Sequence, residues 1–205
     1  MAKARSNKKS NTSNNKKKKG NGQRGNQNAV VHAQTSLSVR RTTPSSGELL
    51  TIPLFDVKQG INTFILHPAW MPWLSGIAPS YQRWRLSNVK LWYEPRVSAT
   101  TNGTIAMAHQ MDFSDGIPTT LRSLTLSAGS KRARVWDHLE MKLPQGPLRD
   151  YCSPSSFEGL NLMEQTSRAF GRIFVWSDTD TPMTAGTVYM SYTPVLQAPV
   201  DPSTQ

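Results

Sequence analysis

From Leu49 onward the chain alternates repeatedly between apolar and polar positions. Leu50, Ile52 and Leu54 repeat every second residue and predict a first core strand. Pro53 inside it has no N–H to give a ladder, so the strand is expected at a sheet edge or with a bulge. Gln59-Gly60 reads as a turn and residues 62–67 as a short second strand. Val89, Leu91 and Tyr93 alternate with Asn88, Lys90 and Trp92, a third strand. After the turn at Thr100–Gly103, Ile105, Met107, His109 and Met111 fall on one face of a fourth, with the smaller Thr104, Ala106 and Ala108 on the other. Residues 131–140 form a mixed-charge strand candidate anchored by Val135, and 148–151 a very short one. Residues 170–176 are apolar except for Gly171 and Arg172, as expected of a strand covered on both faces. Val188, Met190 and Tyr192 mark the last strand.

Helical spacing interrupts this rhythm in three places. Trp73, Leu74, Ile77, Ala78, Tyr81 and Trp84 predict a short helix. Leu121, Leu124 and Leu126 predict a second over 119–127, opened by Pro118 and stopped by Gly129. A third helical turn is expected near 160–163. About eight strands with two or three short helices in the connections, and no βαβ rhythm, point to an all-β sandwich. The pattern alone leaves a jelly roll and an immunoglobulin-like sandwich open.

Charge divides the chain differently from its length. Residues 1–41 carry 11 Lys or Arg and no acid, whereas residues 42–205 carry 13 of each sign. The formal charge of +11 therefore belongs to an arm, residues 1–41, joined to a neutral body, residues 42–205. Residues 1–29 are Lys, Asn, Ser, Gly and Gln with almost no apolar surface to offset ordering, so they are expected to be disordered. Residues 30–41 show patchy strand character around Leu37 and Val39. The candidate nucleic-acid-binding cations are Lys3, Arg5, Lys8, Lys9, Lys16, Lys17, Lys18, Lys19, Arg24, Arg40 and Arg41. Such an arm binds polyanions by displacing counterions, with little sequence preference. No aromatics are interleaved, so base stacking is not indicated. A solubilising tail and a nuclear-import signal are the competing readings of the Lys16–Lys19 run. The single cysteine, Cys152, allows no internal disulfide and fits a reducing compartment. No apolar run reaches the roughly 18 residues that span a bilayer, so no membrane partner is expected.

One stretch is more specific. Trp73–Tyr81 reads W-L-x-G-I-A-x-x-Y; Arg85 is followed by L-x-Y-x-P at Leu91–Pro95; Thr101–Met107 reads T-x-G-x-I-x-M; Asp112–Pro118 reads D-x-x-D-x-x-P. In this order the elements resemble the shell domain of icosahedral plant RNA virus coat proteins, sobemoviruses most nearly and tombusvirus shell domains more distantly. The resemblance resumes weakly over 186–192. It implies an eight-stranded jelly roll, a subunit that self-associates into a virion shell, viral genomic RNA packaged inside, and assembly in the host cytoplasm. It also implies Ca²⁺ at a subunit interface, held by the carboxylates matching Asp112 and Asp115 with backbone and C-terminal amide oxygens of a neighbour. The resemblance places asparagines at the C-terminus for this role, and residues 201–205 here contain none.

Read as residues, Asp112 and Asp115 are two hard oxygen donors close together, which suits Ca²⁺ but supplies too few ligands alone. A solvated acidic turn is the alternative. Asp178 and Asp180 form a weaker acidic pair. Trp70, Trp73, Tyr81 and Trp84 crowd one region, either packing a helix on a sheet end or forming a subunit contact. Lys131, Arg132 and Arg134 are the only dense basic cluster of the body, an RNA-facing or interface patch or an ordinary solvated segment. His32, His67, His109 and His138 show no ligand spacing, and neither a P-loop nor G-x-S-x-G occurs. No catalytic residue is assigned and no enzyme is expected. Two functions compete: a capsid protein that packages single-stranded RNA, and a monomeric RNA-binding module with a basic tail. The neutral body weighs mildly against the second, which needs a basic face.

Overall fold

The computed structural model describes residues 47–179 and 183–201. Two antiparallel sheets face each other. Strands β1 (Leu50–Val57), β9 (Gly186–Pro199), β3 (Tyr81–Pro95) and β6 (Leu139–Lys142) lie side by side in that order in one. Strands β2 (Gly60–Ile65), β8 (Arg172–Ser177), β4 (Thr104–Gln110) and β5 (Lys131–Arg134) form the other. A ninth strand, β7 (Arg149–Asp150), also pairs with β3. It does not add a position to the sheet. Arg83 and Trp84 face β7 while Lys90–Tyr93 face β6, so the two short strands share one edge of β3. The architecture is the expected jelly roll, two layers of four positions.

The alternation explains the layers. Val89, Leu91 and Tyr93 point inward from β3, Ile105 and Met107 from β4, Ile173 and Val175 from β8, and Val188, Met190 and Tyr192 from β9, closing one core. The outer face of β4 carries Ala106 and Ala108, small enough for helix α2 (Leu121–Thr125) to approach and bury Leu124 and Phe174 over them. Strand β8 is covered on both faces as its composition predicts. Strand β1 is an edge strand with a register shift between Pro53 and Phe55, as Pro53 requires. A second shift, between Ser87 and Lys90, accompanies the positive φ of Asn88.

Four sequence expectations are corrected. The helix read over 73–84 is only α1 (Leu74–Ile77) and a 3-10 turn over Ala78–Ser80. Tyr81 and Trp84 lie on β3, because pairing with β9 continues to Pro199 and overrides local helical spacing. The second helix starts at Leu121, capped by Thr120, whose hydroxyl accepts from the Ser123 amide, so Pro118 is not its first residue. Residues 131–140 are not one strand: the chain turns after Arg134 and crosses to the other sheet at β6. The turn expected near 160–163 is replaced by two helices, α3 (Pro154–Glu158) and α4 (Leu162–Arg168), with Ser153 and Asn161 as N-caps.

Candidate assembly loop and basic surfaces

The D-x-x-D loop leaves the end of β4 and is held from beneath. Phe113 is buried against Phe157 and Ala169, which ties the loop to α3 and the end of α4. Arg172, the charged residue in the apolar β8 pattern, is only 7% exposed. Its Nη2 donates to Gln110 Oε1 and to the Asp115 carbonyl, both at 3.0 Å. With two hydrogens on that nitrogen, the Asp112 and Phe113 carbonyls at 3.4 and 3.3 Å are shared, weaker contacts. The guanidinium also lies 4.7 Å from the Phe113 ring centre. One buried cation thus fixes the backbone of the whole loop.

The carboxylates themselves point outward. Asp112 Oδ1 accepts from the Ser114 amide at 2.8 Å and the Thr166 hydroxyl at 3.1 Å. The Ser114 amide, helped by the Thr166 and Ser114 hydroxyls and the charge of Arg172, holds the Asp112 carboxyl below its ordinary value. Asp115 is exposed beside it. Both border an open hollow of ≈ 550 Å³ that His109, Met141 and Leu143 also line. Burial pushes His109 below its ordinary pKa, partly opposed by a 2.8 Å bond between its Nε2 and the Phe170 carbonyl. Among the described residues no three His, Cys, Asp or Glu side chains gather as a metal cluster. The loop therefore presents two exposed carboxylates, Asp112 and Asp115, on a backbone held by Arg172.

The other candidates separate. Lys3 to Arg41, the eleven arm cations, lie outside the described residues, as does Asp180. Asp178 accepts from the Thr104 amide and so pins a strand end. Lys131, Arg132 and Arg134 lie exposed on β5, the edge strand of its sheet; Arg134 stacks on Trp136 at 5.1 Å. Of the aromatic group, Trp84 is wholly buried in its own chain, edge-on to His67 at 5.5 Å, which corrects its assignment as a contact residue. Trp70, Trp73 and Tyr81 are half-buried; Trp70 packs on Phe157.

The fold also makes a pair that sequence spacing did not show. His67, fully buried among Trp70, Trp84, Tyr151 and Phe157, lies with Nε2 3.7 Å from Cys152 Sγ. Its Nδ1 accepts from the Ala69 amide, so the proton sits on Nε2 and points at sulfur. Burial lowers the His67 pKa to about 4 and raises the thiol's. Both groups are neutral at pH 7, the opposite of a thiolate–imidazolium nucleophile.

A model of the viral coat protein (S domain) family matches residues 3–202. The chain belongs to that family. The capsid protein of Cocksfoot mottle virus is 34% identical over 73 residues, 36% of this chain and 29% of that protein. The capsid protein of Tobacco necrosis virus (strain A) is 27% identical over 158 residues, 64% of this chain and 55% of that protein. The matched segments thus span well under two thirds of these relatives. In the solved Tobacco necrosis virus structure the TM-score is 0.69 at 16% identity, covering 78% of this chain and 100% of that one. For Cocksfoot mottle virus the TM-score is 0.65 at 23% identity, covering 76% and 96%. At these identities the structural likeness is one of fold, and the fold of this coat protein is the shell-domain jelly roll. The resemblance read from Trp73–Pro118 is borne out.

Proposed function

We propose that this coat protein builds a virion shell from copies of itself and packages single-stranded viral RNA with its arm, assembling in the host cytoplasm. It acts as a structural protein, not an enzyme. The observation that carries this reading is the division of charge: 11 uncompensated cations before residue 42, and equal numbers of each sign after it. A neutral body can tile against copies of itself without accumulating repulsion, while the arm neutralises phosphates.

Calcium at subunit contacts is part of the same proposal. Asp112 and Asp115 are exposed hard oxygen donors on a loop of fixed backbone, and the Asp112 carboxyl is held below its ordinary pKa, which fits Ca²⁺; a neighbouring copy or water would complete the six to eight oxygens. The ion would neutralise carboxylate repulsion where two copies meet. Lys131, Arg132 and Arg134 are a second surface for RNA or for a neighbour, and Trp70, Trp73 and Tyr81 are candidate contacts.

Electron microscopy of the purified full chain with RNA tests the assignment. Closed shells are expected; isolated monomers would select the RNA-binding module instead. Deleting residues 1–29 should leave a folded body that packages little RNA, and full RNA content would remove the arm's role. Particles should swell when EDTA is added above neutral pH. Unchanged diameter under those conditions, measured by light scattering, would remove calcium from the account.

A further inference from the structure

A hollow of ≈ 390 Å³ lies between the start of β3, β7 and the end of α4, lined by Arg83, Leu148, Arg149, Asp150, Ser167 and Arg168. Three guanidinium groups meet one carboxylate there. Asp150 is already divided between two of them: Oδ1 is 3.3 Å from Arg83 Nε and Oδ2 is 3.0 Å from Arg168 Nη1. Arg149 is only 8% exposed; its Nη1 donates to the Thr166 carbonyl, while its Nε is buried with no hydrogen-bond partner among the described residues. A buried donor left unpaired is costly, and burial also pushes the Arg149 guanidinium below its ordinary pKa. The lining thus sets three guanidinium groups against one carboxylate in a hollow open to solvent, and one of the three, that of Arg149, is buried at its Nε.

We propose that this hollow is an oxyanion site that takes a phosphate group. Guanidinium forks match tetrahedral phosphate oxygens through paired, charge-assisted hydrogen bonds. The phosphate has two sources, an RNA phosphodiester or free inorganic phosphate. The site stands on body residues alone and does not depend on the role proposed for the arm.

The test follows the melting of the RNA-free full chain as inorganic phosphate is titrated at constant ionic strength, with chloride as the control. All six tryptophans lie in the body, so their fluorescence reports the body and not the arm. Saturable stabilisation by phosphate is expected. Arg168→Gln should weaken it roughly tenfold, whereas Arg122→Gln, on α2, should leave it unchanged. Asp150→Asn removes the competing carboxylate and should tighten phosphate binding several-fold, an opposite sign that damage to the fold would not produce. Stabilisation no greater than that of chloride, or equal phosphate binding by the Arg168 and Asp150 variants, would overturn the site. The salt dependence of RNA binding assigns the source. A slope shallower by about 1 in Arg168→Gln identifies an RNA phosphate. An unchanged slope together with weakened phosphate binding identifies free phosphate.

Discussion

Arg172 shows how much of the candidate calcium loop depends on one side chain. Its hydrogen bonds to Gln110 and Asp115 fix the loop backbone, and its charge lies below the two carboxylates. Replacing it with Met keeps the bulk but leaves those oxygens to water. We expect Arg172→Met to cost about 2 kcal/mol in urea unfolding. A loss below a few tenths would show that the loop is held by Phe113 packing alone. His67 sets a pH dependence at the same scale. Its pKa is about 4 folded against 6.5 for the free side chain, so the unfolded chain binds more protons between these values. Its contribution is complete above about pH 6.5 and is lost as pH falls toward 4, up to about 3 kcal/mol. Denaturation midpoints of wild type and His67→Gln should therefore converge on acidification. Parallel curves across pH 4–7 would mean that His67 is not held neutral by its aromatic surroundings.

At the scale of elements, the junction of β4 and β8 decides where the loop sits. Gly171 has φ +114°, and an added Cβ would lie 2.5 Å from the Gln110 carbonyl oxygen and 2.7 Å from His109 Nε2. Backbone strain and overlap act together, so Gly171→Ala should lose about 3 kcal/mol and displace the β4 exit. A melting temperature within a degree of wild type would refute that crowding. The strands were legible because their inward positions are apolar every second residue: Val89–Tyr93 and Val188–Tyr192 needed no tertiary information. Trp84 was misread because a helical stripe and the inward face of a long strand both place aromatics near one another over twelve residues. Only the β9 partner, a hundred residues away, distinguishes them. The D-x-x-D pair was visible as a motif. Its anchor Arg172 and the His67–Cys152 contact were not, since each joins segments far apart in the chain. The signal for Arg172 was present as a lone charge inside an apolar strand, which implies a buried partner set.

For the whole molecule, the separation of charge makes a quantitative demand on RNA binding. Each cation engaged with a single-stranded phosphate contributes about −0.7 to the slope of log K against log salt. If all 11 arm cations engage, the full chain should approach a slope of about −8. Removing residues 1–29 leaves only Arg40 and Arg41 of that set, and the slope should fall to about −1. The body, with equal numbers of each sign, cannot replace the loss through net charge; it can add only local contacts such as Lys131, Arg132 and Arg134 on β5. Filter-binding or fluorescence titrations of an unstructured RNA, between about 50 and 400 mM salt, separate the two cases. A truncated chain that kept more than half of the full slope would place the main RNA contacts on the sandwich. Assembly would then have to bring RNA to that surface directly, and the charge division at residue 41 would no longer explain packaging.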